Sequence, residues 1–279
     1  MDIAIAKPQQ ALAWRIDFVE GVPLGEAEPA IRQPRTTWTQ VYELDAPTVL
    51  FDTRAPEPTS SGVTLVYLPS GAATPYEIQN RAESWMASRP GEDSGTLEIE
   101  FRSERLLWRR GRAVCFGSLQ ARDHVIDAVT HFSFCEIELV RLEQQVEAFW
   151  PTLEDHMRLM EPLSSRDLKR HRDIDTMARM ATAMRVAHVR LQAALERPPS
   201  VLAAPARRLF LELNLQADTA HRLEMLDDAI EVIDEFYKHM REQFAEFRYF
   251  LSEYRVEILI VVVLIAELAE ILISIARLD

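Results

Sequence analysis

Residues 223–275 read LEMLDDAIEVIDEFYKHMREQFAEFRYFLSEYRVEILIVVVLIAELAEILISI, and their apolar side chains recur in steps of seven. Two series offset by three residues hold only apolar or aromatic side chains. They are Leu223, Ile230, Tyr237, Phe244, Leu251, Ile258, Ile265 and Leu272, and then Leu226, Ile233, Met240, Phe247, Tyr254, Val261, Leu268 and Ile275. We call these positions the heptad stripe. Because a repeat averaging about 3.5 residues keeps a stripe turned toward a partner helix, the pattern predicts one long, coiled-coil-like helix that associates with other copies.

The last part of this stretch is more apolar than a coiled coil requires. From Ile258 to Ala276, only Glu267, Glu270 and Ser274 interrupt an apolar run, and a bilayer is crossed by roughly 20 apolar residues. Insertion of the aliphatic side chains into a bilayer is favourable by about 6 kcal/mol of free energy, and insertion of two glutamates is unfavourable by a similar amount. The segment therefore predicts a membrane-inserted helix if its carboxylates are protonated, snorkel to the surface or face a neighbouring helix. The alternative is a soluble or interfacial oligomerisation helix.

Composition excludes several classes of protein. The net charge of −13 over 279 residues argues against a nucleic-acid partner, because phosphate binding depends on clustered Lys and Arg. Cys115 and Cys135 have no metal-type spacing and indicate a reducing compartment without a disulfide framework. The start, MDIAIAKPQQALAW, resembles neither a signal peptide nor a transit peptide, so we expect any membrane attachment to use the C-terminal helix.

Residues 1–118 form the predicted α/β body, an α/β sandwich of two layers. Segments rich in aliphatic and aromatic residues predict strands at Ala11 to Val19, Thr48 to Asp52, Val63 to Leu68, Thr96 to Arg102 and Leu106 to Phe116. Short helices are predicted at Leu24 to Arg32 and Glu77 to Ser88. The fold class is therefore α+β, with this body followed by long helices.

Residues 119–216 form a predicted helical domain, and residues 217–279 form the predicted long helix with its predicted membrane segment, 258–276. The helical domain is predicted to hold helices at Ala121 to Trp150, Thr152 to Met160 after a restart at Pro151, Ser165 to Leu195, and Pro205 to Leu213. Cys135 falls on the apolar face of the first of these and is predicted to be a core residue.

Candidate chemistry is sparse, and no Gly-rich phosphate loop or hydrolase motif occurs in the sequence. The best candidate metal set is His124, Asp127 and His131, spaced i, i+3 and i+7 on one helix, but it lacks a fourth ligand. The run Lys169 to Arg172 is flanked by Asp167, Asp173 and Asp175, and such mixed charges are typical of a solvated helix face. We therefore predict no catalytic, cofactor-binding or metal residues.

One stretch resembles a known family. Thr130 to Val146, THFSFCEIELVRLEQQV, resembles the helix that in the required-for-meiotic-nuclear-division family reads roughly Ser-His-Ala-Leu-Ala-Gln-Ser, then an apolar residue and Glu. His131, Leu139 and Glu143 fall on matching positions. The long helix looks like the family's closing helix, which carries Leu-Glu-Trp before an Ile-rich membrane-type segment. Val256 and Glu257 stand near its Leu and Glu, and Ile258 replaces its Trp.

The resemblance implies an α/β body, long helices, a C-terminal membrane-associated segment and self-association, with no catalytic residues. Eukaryotic members support translation of organelle-encoded proteins in mitochondria, and this chain looks like a prokaryotic relative. We therefore expect a non-enzymatic, homo-oligomeric scaffold on the prokaryotic inner membrane, with its body facing the cytoplasm. The alternatives are a soluble coiled-coil adaptor and a metal- or nucleotide-dependent enzyme.

Overall fold

The computed structural model describes residues 11–20, 31–32, 37–45, 62–69, 76–87, 95–158, 167–198 and 200–276. These residues form an α+β protein in which an N-terminal mixed sheet precedes long helices. The strands are β1 (Leu12–Glu20), β2 (Ile31–Arg32), β3 (Thr37–Asp45), β4 (Gly62–Pro69), β5 (Leu97–Phe101), β6 (Glu104–Arg109) and β7 (Arg112–Gly117). The helices are α1 (Tyr76–Ala87), α2 (Arg122–Met157), α3 (His171–Glu196, after a 3-10 turn at Asp167–Arg170), α4 (Ala204–Gln216) and α5 (Thr219–Ala276).

The sheet has the strand order β2-β3-β1-β4-β7-β6-β5. All neighbouring strands are antiparallel except β4 and β7, which run parallel, with Val66 opposite Val114. Every residue of β4 is buried, and its sequence GVTLVYLP is nearly all apolar. Such a run is typical of a strand with both faces covered, so β4 lies at the centre of the hydrophobic core.

Helices cover both faces of the sheet. On one face, Ala82 and Met86 of α1 pack against Val66, Leu107 and Val114. On the other face, the Trp108 ring packs against the Phe132 ring of α2 at 4.7 Å. The Trp108 indole also donates a hydrogen bond to the Ser133 hydroxyl at 3.0 Å. The predicted two-layer sandwich is therefore a three-layer arrangement, because α2 belongs to the same core.

Three predicted strands, β1, β4 and β5, are confirmed, and two other predictions are wrong. The segment from Leu106 to Phe116 is a hairpin of β6 and β7, because Gly111 adopts a φ of 77° that reverses the chain. Ile31–Arg32, predicted as the end of a helix, is a short strand paired with β3, and β3 itself was not predicted. Residues 48–52 lie outside the described residues, as do residues 24–30 of that predicted helix.

The helix predictions differ from the structure mainly at Pro151. It lies inside α2, which continues to Met157, although a restart was predicted there. Proline removes one backbone hydrogen bond, but Phe149 and Leu153 on either side of it are both buried. Burial of two large apolar side chains is worth several kcal/mol, so α2 remains continuous.

The chain divides into two compact units. Unit 1 comprises Met1–Glu143 and Val189–Met225, and unit 2 comprises Gln144–His188 and Leu226–Asp279. The helices α2, α3 and α5 each contribute residues to both units. Whether the predicted domains 1–118, 119–216 and 217–279 fold independently stays a prediction.

Gly117 at the end of β7 provides a test of the core packing. A Cβ at this position would lie 2.7 Å from the Tyr67 hydroxyl and 2.7 Å from Cγ of Glu104. The Tyr67 hydroxyl donates a hydrogen bond to the Ser118 carbonyl, so it cannot move without losing a partner. We expect Gly117→Ala to lower the free energy of unfolding by about 1–3 kcal/mol, measured by urea denaturation followed by circular dichroism.

Gly95→Ala is the matched control, because an added Cβ there meets nothing within 4 Å. We expect it to change the free energy of unfolding by less than about 0.5 kcal/mol. Equal effects of the two substitutions would contradict the packing described around Tyr67.

Candidate functional site

The first half of the heptad stripe is buried within the chain itself. Its buried residues are all at most 6 % exposed, and they are Leu223, Leu226, Ile230, Ile233, Tyr237, Met240 and Phe244. The expectation that the whole stripe contacts other copies is therefore wrong for this half. Among the described residues of the heptad stripe, those beyond Phe244 remain available to a partner.

Unit 2 supplies the partners of the buried half. The Tyr237 ring of α5 lies edge-on to Phe149 of α2 at 5.6 Å, and its hydroxyl lies 3.0 Å from Nδ1 of His156. Two turns further along, the Phe244 ring meets His171 of α3 at 5.9 Å. The Arg241 guanidinium pairs with Asp175 of α3 at 3.2 Å. Together, α2, α3 and α5 form a three-helix packing in this unit.

Beyond Phe244 the side chains of α5 become exposed. Eight consecutive Ile, Leu and Val residues, from Ile258 to Ile265, are each between 46 and 64 % exposed. Because a helix turns once every 3.6 residues, eight consecutive residues face every direction around it. A surface helix that is apolar all round is unusual in water, so this segment is the candidate functional surface. We call residues 258–268 the exposed apolar segment.

Side chains of α5 are described as far as Leu268. Among the described residues, no helix has a stretch both apolar and long enough to span a membrane.

An ion-pair network anchors the start of α5 in unit 1. The Arg222 guanidinium donates to both carboxylate oxygens of Glu143 at 2.8 and 2.9 Å. Its Nη1 donates to both oxygens of Glu136 at 3.0 and 2.9 Å. Glu136 and Glu143 lie seven residues apart on α2, which is two helical turns, so both face the same arginine. A planar guanidinium that donates to two carboxylates in this way fixes both the orientation and the distance of the start of α5 relative to α2.

Glu136 is the most buried member of this network, at 5 % exposed. Burial raises the pKa of its carboxyl group, and the nearby Arg222 and Arg110 guanidinium groups oppose that rise. Nη2 of Arg110, in the β6–β7 turn, lies 3.6 Å from Glu136. Two arginines therefore face two glutamates, and the network is balanced in charge.

The turn before α5 positions Arg222. Asp218 has a φ of 50°, a left-handed conformation that Asp tolerates better than most residues. The Arg222 amide donates to the Asp218 carbonyl at 3.2 Å. The Thr219 hydroxyl donates to the carbonyl of Asn214 in α4 at 3.3 Å. This tight connection places Arg222 in the first turn of α5, opposite α2.

The candidate metal set His124, Asp127 and His131 is not assembled in the described residues. His131 is buried, His124 and Asp127 are half-buried, and no group of three or more His, Cys, Asp or Glu side chains in the described parts of the chain could hold a metal ion. Burial raises the pKa of the Asp127 carboxyl, with His124 opposing the rise. Burial also lowers the pKa of His131 to about 4. A metal-dependent activity stays an untested prediction.

Neither thiol has the environment of a nucleophile. Cys115 is 0 % and Cys135 is 5 % exposed, and burial raises the pKa of both, that of Cys135 to about 12. A nucleophilic cysteine needs its thiolate form. Cys135 was predicted to be a core residue, and this prediction is confirmed.

In the basic run 169–172, Lys169, Arg170 and Arg172 are exposed. Nδ1 of His171 lies 3.1 Å from Asp175, one turn further along α3. The predicted solvated helix face is confirmed for these three basic residues.

Of the residues in the network, only Glu143 stood out from the sequence, through the family resemblance. Glu136 and Arg222 were not predicted. A signal existed for Glu136, which interrupts the apolar run FSFCEIELV at a position that the helical period places inside. Nothing in the sequence pairs it with a residue 86 positions away.

Comparison with protein families and with curated proteins finds no match to this chain. The resemblance to the required-for-meiotic-nuclear-division family therefore stays a prediction.

Replacing Arg222 tests the network. We expect Arg222→Ala to leave Glu136 buried without its main partner and to cost on the order of 2–3 kcal/mol, below the roughly 3–5 kcal/mol for a fully buried pair. Arg158→Ala is the control, because its pair with Asp155 is largely exposed and is worth at most about 1 kcal/mol. Equal losses in urea denaturation would show that the network is only a surface feature.

The pH dependence of stability tests the burial of His131. The unfolded imidazole takes up a proton near pH 6.5, whereas the folded one remains neutral down to about pH 4. Stability contributed by this residue is therefore complete above pH 6.5 and is lost as the pH falls toward 4, by on the order of 3 kcal/mol. We expect His131→Gln to flatten this part of the pH profile, measured by urea denaturation from pH 7 to pH 4.

The comparison of the two proteins isolates the imidazole, because Glu136 and Asp127 titrate in both. Parallel profiles for the two proteins would show that His131 can be protonated in the folded state.

Proposed function

We propose that this protein is a non-enzymatic, homo-oligomeric scaffold attached to a membrane by the C-terminal part of α5. The observation that carries the proposal is the exposed apolar segment. Its side chains face all directions, so a single partner helix cannot cover them. Lipid can cover them, because acyl chains surround a helix completely.

The length and charge of the helix support the same reading. Helix α5 continues to Ala276, and the 19 residues from Ile258 to Ala276 span about 28 Å at 1.5 Å per residue, close to the roughly 30 Å of a hydrocarbon core. Arg248 and Arg255 precede this run. Because basic residues favour the cytoplasmic side, we assign the rest of the chain to the cytoplasm, at the inner membrane of a prokaryote.

A soluble coiled-coil adaptor is the second candidate, and the heptad stripe favours it. Phe247 and Leu251 continue the stripe beyond its buried half, and both are only half-buried. A partner copy could pack on them in water. This reading leaves the sides of the exposed apolar segment that face away from the partner uncovered, so we rank it second. The translation-support role that the family resemblance suggests stays a prediction.

Deleting residues 256–279 tests the attachment. We expect the full-length chain to float with lipid vesicles in a density gradient, and the shortened chain to remain at the bottom. The buried half of the heptad stripe is untouched by this deletion, so its circular dichroism and urea midpoint should stay close to those of the full chain. A full-length chain that stays at the bottom of the gradient when vesicles are present contradicts the membrane proposal.

A charge placed in the segment gives a sharper version of the test. We expect Val262→Arg to weaken flotation, because it places a charge about 6 Å inside the start of the inserted helix, and Arg costs up to about 2.5–3.5 kcal/mol at the centre of such a helix. Ser252→Arg, which is exposed and precedes the segment, should leave flotation unchanged. Light scattering of the full chain in detergent and in plain buffer then separates the two candidates, because a soluble adaptor keeps one discrete mass without lipid.

A further inference from the structure

A group of exposed aromatic side chains lies within the two to three turns before the exposed apolar segment. Tyr249 is 71 %, Phe250 59 % and Tyr254 52 % exposed. The Phe250 and Tyr254 rings stack on each other, with centroids 6.5 Å apart and an angle of 10° between their planes. Large exposed rings are costly in water, and tyrosine is enriched where a membrane meets water, since its ring is apolar and its hydroxyl polar.

Charged residues alternate with these rings. Arg248, Glu253, Arg255 and Glu257 lie between residues 248 and 257, and all four are exposed. The eight residues that follow carry no polar group. The helix therefore changes at Ile258 from a mixed aromatic and charged surface to a purely aliphatic one. This is the change in composition that a helix undergoes between the headgroup layer and the hydrocarbon of a bilayer.

We infer that α5 enters the hydrocarbon of a lipid bilayer at Ile258, with Tyr254 in the headgroup layer and Tyr249 on the water side of that layer. This inference rests on the proposed membrane attachment and adds the depth at which the helix sits. One polar layer occupies about 5–8 Å in a bilayer about 40–45 Å thick with a 30 Å core. At 1.5 Å per residue, Tyr254 lies about 6 Å above Ile258, within this layer, and Tyr249 lies about 13 Å above Ile258, beyond it.

The charges of residues 248–257 also indicate which class of lipid the protein binds. Two arginines and two glutamates cancel between residues 248 and 257, so this layer gains little from anionic headgroups. Most of the net charge of −13 lies earlier in the chain, and anionic lipid would repel it. Binding should therefore occur on neutral lipid and should persist at high salt, because burial of apolar surface supplies the free energy.

Spin labels at three depths test the inference in the full-length chain. We would place single cysteines by Glu246→Cys, Ser252→Cys and Val262→Cys, at exposed positions in water, near the outer edge of the proposed headgroup layer and in the hydrocarbon. Along the helix axis the steps are about 9 and 15 Å. The native thiols are buried, so the unsubstituted chain measures the background labelling. Each labelled chain is bound to phosphatidylcholine vesicles and exposed to oxygen, which concentrates in lipid, and to a nickel complex, which stays in water.

We expect the ratio of oxygen to nickel collisions to be low at residue 246, intermediate at 252 and several-fold higher at 262. If the label at 252 matches that at 246 or at 262 while the chain still floats with vesicles, the depth is wrong and membrane attachment stands. If no labelled chain floats, membrane attachment is wrong and the depth falls with it. If binding requires anionic lipid, the charge argument is overturned.

Discussion

Apolar helix surface must be shielded from water, and along α5 the groups that can shield it change at Phe244. Before it, the heptad stripe is buried by α2 and α3 of its own chain, with Tyr237 held between Phe149 and His156. After it, apolar side chains are exposed on every side of the helix. The part of α5 before Phe244 is therefore stabilised by packing within the chain. The part after Phe244 requires an external partner to shield its apolar side chains from water. The proposed function follows from this second requirement.

The network at Arg222 gives this arrangement a fixed starting point. Two carboxylates of α2 hold one guanidinium in the first turn of α5, and Asp218 turns the chain so that α5 begins at this place. Because Glu136 is buried, removal of its partner costs more than removal of a surface pair. The same α2 that carries Glu136 packs on the sheet through Phe132 and Ser133, so the network links α5 to the core of unit 1.

How much could be predicted from the sequence depended on whether the signal was local. The seven-residue period predicted α5 as one helix, and enrichment in aliphatic and aromatic residues predicted β1, β4 and β5. The period cannot identify the partner, however, and the residues that cover Tyr237 lie 81 or more positions away on α2. The hairpin of β6 and β7 was read as one strand because Gly111 is flanked by Arg110 and Arg112 within a continuous run of strand-forming residues. Glu136 and Arg222 were missed because an ion pair between distant residues leaves no periodic signal in a single sequence.

Hydrogen–deuterium exchange of the full-length chain, with and without phosphatidylcholine vesicles, tests most directly the claim that α5 has two differently covered halves. The account predicts slow exchange of the amides from residue 226 to residue 244 in both conditions. It predicts that the amides from residue 258 to residue 268 exchange quickly in detergent-free buffer at low protein concentration and slow strongly when vesicles are added. Exchange from 258 to 268 that is slow without lipid, or that vesicles leave unchanged, would contradict it.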